Sequence, residues 1–110
     1  MDVFPREMDA YARSLDLPPR KRRGWVHEIE VPLGAGESLA YESRYEGPAG
    51  RVEFNVHSHH GRDVTYHLKG TDATMAGTFI APEAGKFYLM WENLSDGPIR
   101  IHVRATRRSG

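Results

Sequence analysis

The chain is expected to fold as an all-β, antiparallel two-sheet β-sandwich of jelly-roll type, with a short N-terminal helical arm. Three observations carry this expectation. From residue 24 onward apolar residues recur at every second position, Gly and Pro clusters cut the chain into short runs, and no interior stretch repeats its apolar residues at helical spacing. A chain of 110 residues can bury one core without cross-links, and this one contains no cysteine.

Residues 2–16 read as the helical arm, with Asp2 as N-cap, Pro5 near the first turn, and Met8, Tyr11, Ala12 and Leu15 on one face. Pro18 and Pro19 end it by removing two amide donors. Arg20, Lys21, Arg22 and Arg23 form a basic knot. It reads as a solvated linker in preference to a phosphate or acidic-partner contact, because it is short and carries no interleaved aromatics. Residues 1–23 are thus arm and linker, 24–107 the sandwich and 108–110 a tail, with the chain fraying from Arg107.

Within the sandwich, GWVHEIEVPL is the opening strand, closed by Pro32 and the turn Gly34-Ala35-Gly36. Ser38 to Tyr45 follows as a second strand, with Leu39, Tyr41 and Ser43 on one side. Residues 47–50 turn the chain into a β-hairpin over 51–70, and the stretch to Met75 and Ala76 is loop or a weak edge strand. Gly77 to Ala81 is a short strand stopped by Pro82. KFYLMWEN is too short for a typical helix and rich in aromatics, which predicts a buried strand. Asn93 is expected to bond the backbone of the Leu94 to Gly97 turn. The last strand alternates strictly, placing Ile99, Ile101, Val103 and Ala105 inward and Arg100, His102, Arg104 and Thr106 outward. Trp25, Phe54, Tyr66, Phe79, Phe87 and Trp91 are the expected core mass.

Fifteen basic and fifteen acidic residues cancel, so no global field draws the chain to nucleic acid or anionic lipid. No apolar run approaches the roughly 20 residues of a membrane span, and the first residues lack the order of a signal peptide. The reading is a soluble protein, cytoplasmic, or extracytoplasmic if an export signal has been removed.

The hairpin RVEFNVHSHHGRDVTYHLKG carries four of the six histidines. Val52, Phe54 and Val56 share one face, and so do Val64, Tyr66 and Leu68. Putting both sets on the same side requires an odd loop. A three-residue loop, His59 to Gly61, pairs Val56 with Val64 and Phe54 with Tyr66; a five-residue loop is the second choice. The shorter loop sets His57 opposite Asp63 and Glu53 opposite His67. His57, His59, His60 and His67 then form a candidate zinc or copper site, with Glu53 and Asp63 behind the rings. A solvated polar face accounts for the same residues and outweighs that reading, since alternation demands polar outward positions. Ser58 lies beside His57 and His59, but neighbours on a strand point to opposite faces, and no catalytic fingerprint is present.

The order Gly-Thr-Phe-Ile-Ala-Pro (77–82), Glu-Ala-Gly (83–85), Phe-Tyr-Leu-Met-Trp-Glu-Asn (87–93) and a final alternating strand resembles the GOLD, or Golgi-dynamics, domain in its bacterial stand-alone form. The match runs over residues 25–106 and implies a β-sandwich used for recognition without catalysis. Eukaryotic cargo-receptor members of that family carry a disulfide, a coiled coil and a membrane span; this chain has none of them, so a membrane-traffic role is not carried over. The expected function is therefore a non-catalytic module binding a protein partner or a second copy of itself. The arm's apolar stripe, Met8, Tyr11 and Leu15, and the outward residues Tyr88 and Met90 are its expected contacts. Metal binding is the alternative and an enzyme a distant third.

Overall fold

The computed structural model describes residues 2–109. Among these residues the backbone forms nine strands and no helix: β1 (Asp2–Val3), β2 (Ala10–Leu17), β3 (Val26–Leu33), β4 (Ser38–Tyr45), β5 (Val52–His60), β6 (Asp63–Gly70), β7 (Thr74–Ile80), β8 (Gly85–Asn93) and β9 (Ile99–Arg108). They make two sheets, ordered β1-β3-β8-β5-β6 and β2-β9-β4-β7. Every neighbouring pair is antiparallel apart from the two-residue parallel pairing of β1 with β3. The two-sheet expectation holds. No described helix is long and apolar enough to cross a membrane.

The helical arm is corrected. Residues 10–17 form β2 and pair along their whole length with β9, from Ala10 opposite Thr106 to Leu17 opposite Ile99. Tyr11 and Leu15 stand four residues apart, a spacing that a helix face and a strand face share. Leu17 decides between them: Tyr11, Leu15 and Leu17 are all buried, as only a period of two allows, while Met8 and Ala12 stay exposed. A lone helix of this length is marginal in water, whereas β9 supplies a complete ladder.

Between the sheets lie the alternate residues of β3, β4, β5, β8 and β9, together with Phe4 from the segment after β1. Phe54 stacks on Trp91 at 5.0 Å, and Trp91 Nε1 donates to Ser43 Oγ at 2.9 Å across the gap. The final strand's alternation is as expected. Two expected core aromatics are not in the core: Trp25 is half-buried and Tyr66 is 49% exposed.

The predicted fray at Arg107 is also overturned. β9 continues to Arg108, and its alternation turns Arg107 inward, where its guanidinium donates to the carbonyls of Phe4, Pro5 and Met8 at 2.8 to 2.9 Å and lies 4.3 Å over the Phe4 ring. This residue ties the two ends of the chain together. At the opposite end of the sandwich, Asn93 Nδ2 donates to Gly97 O at 2.9 Å and Ser95 N to Asn93 Oδ1, as the turn chemistry predicts. The same amide reaches Pro18 O at 2.8 Å, and Arg20 N donates to Ser95 O, so the basic knot is a turn docked on this loop. Lys21 there has a φ of 64°, while its side chain and those of Arg20, Arg22 and Arg23 face solvent.

Candidate functional site

The hairpin closes through two residues, Gly61 and Arg62, in place of the expected three or five. A positive φ at Gly61, 64°, with an ordinary one at Arg62 is the pattern of a type II′ turn, in which the first central position favours glycine. Next to the turn the register sets His60 opposite Asp63, His59 opposite Val64, Ser58 opposite Thr65 and His57 opposite Tyr66; farther on, Val56 faces Leu68 and Phe54 faces Gly70. His67 is the extra residue of a β-bulge on β6. The bulge reverses the alternation of β6. Val64 and Tyr66, expected in the core, stand 41% and 49% exposed on the outer side, whereas Leu68 packs against the core.

This register dissolves the expected carboxylate pairs. Asp63 faces His60, Glu53 lies 3.5 Å from Lys69, and the carboxylate beside His57 is Glu28, 3.2 Å away on β3. It also separates the four histidines. His57 and His59 point outward with ring centroids 5.1 Å apart; His67 sits on the other side, wedged against Phe79 and Phe87; His60 is at the tip, 3.8 Å from Glu83. Among the described residues no three His, Asp or Glu side chains converge as a bound metal ion would need.

His67 Nε2 meets Ser58 Oγ at 2.9 Å. The contact joins a serine to a histidine, yet Ser58 is 5% exposed, and among the described residues the imidazole makes no other side-chain hydrogen bond. Ser58 borders a small cavity of about 250 Å³ with His60 and Glu83, but among the described residues no carboxylate hydrogen-bonds the His67 ring, and the pair satisfies two polar groups.

His57 lies at the centre of the outer face of the five-stranded sheet, only 3% exposed. Tyr88 stacks on it at 5.3 Å, with Tyr66 at 5.8 Å, and His59 meets Tyr88 edge-on at 5.0 Å. Burial holds the His57 pKa below its ordinary value against the opposing Glu28 carboxylate, and His59 adds to the lowering. A neutral imidazole has one N–H, and at Nδ1 it can donate to the Asn55 amide oxygen at 2.7 Å. Nε2 stands 3.2 Å from Glu28 Oε2, a contact that becomes an ion pair only when the ring is protonated. Asn55 Nδ2 is buried with no hydrogen-bond partner among the described residues.

Around this centre the strand registers gather a carboxylate ring. Glu28 and Glu30 of β3 stand opposite Met90 and Tyr88, and Glu92 of β8 stands opposite Glu53 of β5. Burial, and then the Glu53 charge, raise the Glu92 pKa, with Lys69 opposing. Burial followed by Glu30 and Glu28 raises that of the Tyr88 phenol. Lys69 and Lys86 are the cations on this face.

Of the expected contact residues, Tyr88 and Met90 do lie half-buried on this face, and Met8 is 45% exposed elsewhere. Tyr11 and Leu15 are corrected: both are buried beneath β2, so the arm's stripe covers the protein's own core. Glu28, Glu30, Asn55 and Glu92 were missed. The alternation of HEIEVPL marks Glu28 and Glu30 as outward, but which strand lies beside them is a nonlocal fact.

The fold and this face define a β-sandwich with one polar, aromatic-centred sheet surface. No protein-family model matches the chain, and no curated protein does. Among solved structures it is similar to Salmonella Typhimurium PliG, a periplasmic lysozyme inhibitor of g-type lysozyme, at 8% identity and TM-score 0.61 over 98% of this chain and 99% of that one. Aeromonas hydrophila PliG, also a periplasmic inhibitor of g-type lysozyme, is similar at 11% identity and TM-score 0.58, covering 97% and 98% of the two chains. The pre-peptidase C-terminal domain of Bacillus anthracis collagenase is similar at 13% identity and TM-score 0.58, covering 87% and 88%. At these identities the likeness is one of fold.

Proposed function

We propose that the protein is a non-catalytic binding module whose outer five-stranded face engages a protein partner with a cationic surface. The observation that carries this is the outer ring of Glu28, Glu30, Glu53 and Glu92 about the His57, Tyr66 and Tyr88 centre, answered on the same face by Lys69 and Lys86. Carboxylates directly opposed across a ladder, as Glu53 and Glu92 are, repel one another. Lys69, 3.5 Å from Glu53 and 4.4 Å over the Tyr66 ring, answers part of that charge, and a partner's lysine or arginine set beside Glu28 and Glu92 relieves the remainder. The GOLD-like order of residues 77–93 supports recognition in preference to catalysis, and so do the inhibitor proteins that share the fold.

Calorimetric titration of the protein with g-type lysozyme, the target of the PliG neighbours, and with small basic and acidic proteins tests the reading. Binding to a basic protein, weakened more than about tenfold by Glu28→Gln, Glu30→Gln and Glu92→Gln together and falling with salt, is expected. Equal binding of acidic and basic proteins, or no loss in the triple variant, overturns it.

A further inference from the structure

The four-stranded sheet has an open edge at β7. Three of the four sheet edges are protected. The two residues of β1 cover part of β3; β6 carries the bulge at His67 and the charges of Asp63 and Lys69; and β2 carries Arg13 and Asp16 before ending at Pro18. Bulges, charges and prolines are how natural sheets keep strand edges from pairing with other chains.

β7 has none of these. Thr74–Ile80, TMAGTFI, contains no charge and no proline, and its ladder to β4 runs unbroken from Ser38 opposite Ile80 to Arg44 opposite Thr74. Its other edge has no strand beside it among the described residues. Thr74, Ala76, Thr78 and Ile80 are exposed on the outer side, Ile80 at 64%. A regular, uncharged, β-prone strand with an open row of amides and carbonyls is a template for one more strand.

We propose that this edge pairs antiparallel with the β7 edge of a second copy, about a two-fold axis at Gly77, joining two four-stranded sheets into one. The sequence is self-complementary in that register. Ala76 meets Thr78, Thr74 meets Ile80, and Met75 meets Phe79, a sulfur–aromatic pair, with no charge opposite a like charge. The axis itself falls on a residue without a side chain, and a Cβ at Gly77 would lie 2.7 Å from the Tyr41 hydroxyl. An isologous contact of this kind closes after two copies. It lies on the opposite sheet from the carboxylate ring, so its failure leaves the proposed partner-binding face untouched.

Sedimentation equilibrium on the full chain from micromolar to millimolar concentration tests it. A monomer–dimer equilibrium is expected. The exposed double substitution Ala76→Lys and Thr78→Lys is expected to weaken the dimer more than about tenfold with an unchanged circular dichroism spectrum and unfolding midpoint. Ala76→Glu with Thr78→Glu should do the same, and mixing the lysine and glutamate proteins should restore a dimer containing one of each. A wild-type chain that stays monomeric throughout, a dimer indifferent to both pairs of charges, or a mixture that fails to associate overturns the proposal.

Discussion

Trp91 Nε1 donates a 2.9 Å hydrogen bond to Ser43 Oγ across the space between the two sheets, with both residues buried. Ser43 is thereby the acceptor that lets an indole fill the middle of the core without an orphaned N–H. Replacing it with alanine strands that donor, which costs about 1–3 kcal/mol. Urea unfolding followed by tryptophan fluorescence measures the loss; a change below about 0.5 kcal/mol, the scale of a neutral surface substitution, would show that the bond contributes nothing beyond packing.

Stability is predicted to fall on mild acidification, through His57. Its folded pKa is lowered, chiefly by burial, so between that value and the ordinary histidine value near 6.5 the unfolded chain binds the extra proton. Stability from this group is then fully present above about pH 6.5 and is lost as the pH drops toward the folded pKa. His67, lowered by burial as well, acts in the same direction. Denaturant midpoints measured from pH 7.5 down to 5 should decline, and less steeply in a His57→Gln protein. An identical slope in that variant would remove His57 from the account.

Arg107 is predicted to hold the amino-terminal segment in place. Its three charge-assisted bonds to the carbonyls of Phe4, Pro5 and Met8 have no replacement, so Arg107→Met should cost roughly 2–4 kcal/mol. The cost has a location. Hydrogen exchange should accelerate first at the amide of Phe4, which bonds Glu30 O, and at Met8, while the β5 and β8 amides keep their protection relative to global unfolding. Uniform acceleration across all strands would mean that the guanidinium is no local tie.

Much of the architecture was readable because it rests on local periodicity. β3, β4, β8 and β9 fall where alternation and the Gly/Pro punctuation put them, and Ile99, Ile101, Val103 and Ala105 turn inward as expected. The amino terminus failed for an equally local reason: the Tyr11 to Leu15 interval fits both periods, and the burial of Leu17 together with the pairing to β9 removes the ambiguity. The hairpin failed through one residue. His67, added as a bulge, inverts the faces of Val64 and Tyr66, and nothing in DVTYHLKG distinguishes a bulged strand from a regular one.

The candidate site divides along the same line. The outward positions of His57, Tyr88 and Met90 followed from parity, whereas Glu28 beside His57, and Glu92 opposite Glu53, depend on β3, β8 and β5 becoming neighbours in a given register. By itself, then, the sequence determined the strands β3, β4, β8 and β9 and the inward faces of β4, β8 and β9, because side-chain alternation is a property of the extended backbone. Only the tertiary structure decided where the arm goes, which histidines meet and which carboxylates surround His57. Those depend on which strands adjoin and on a one-residue slip, energies that exist only once distant segments have packed together.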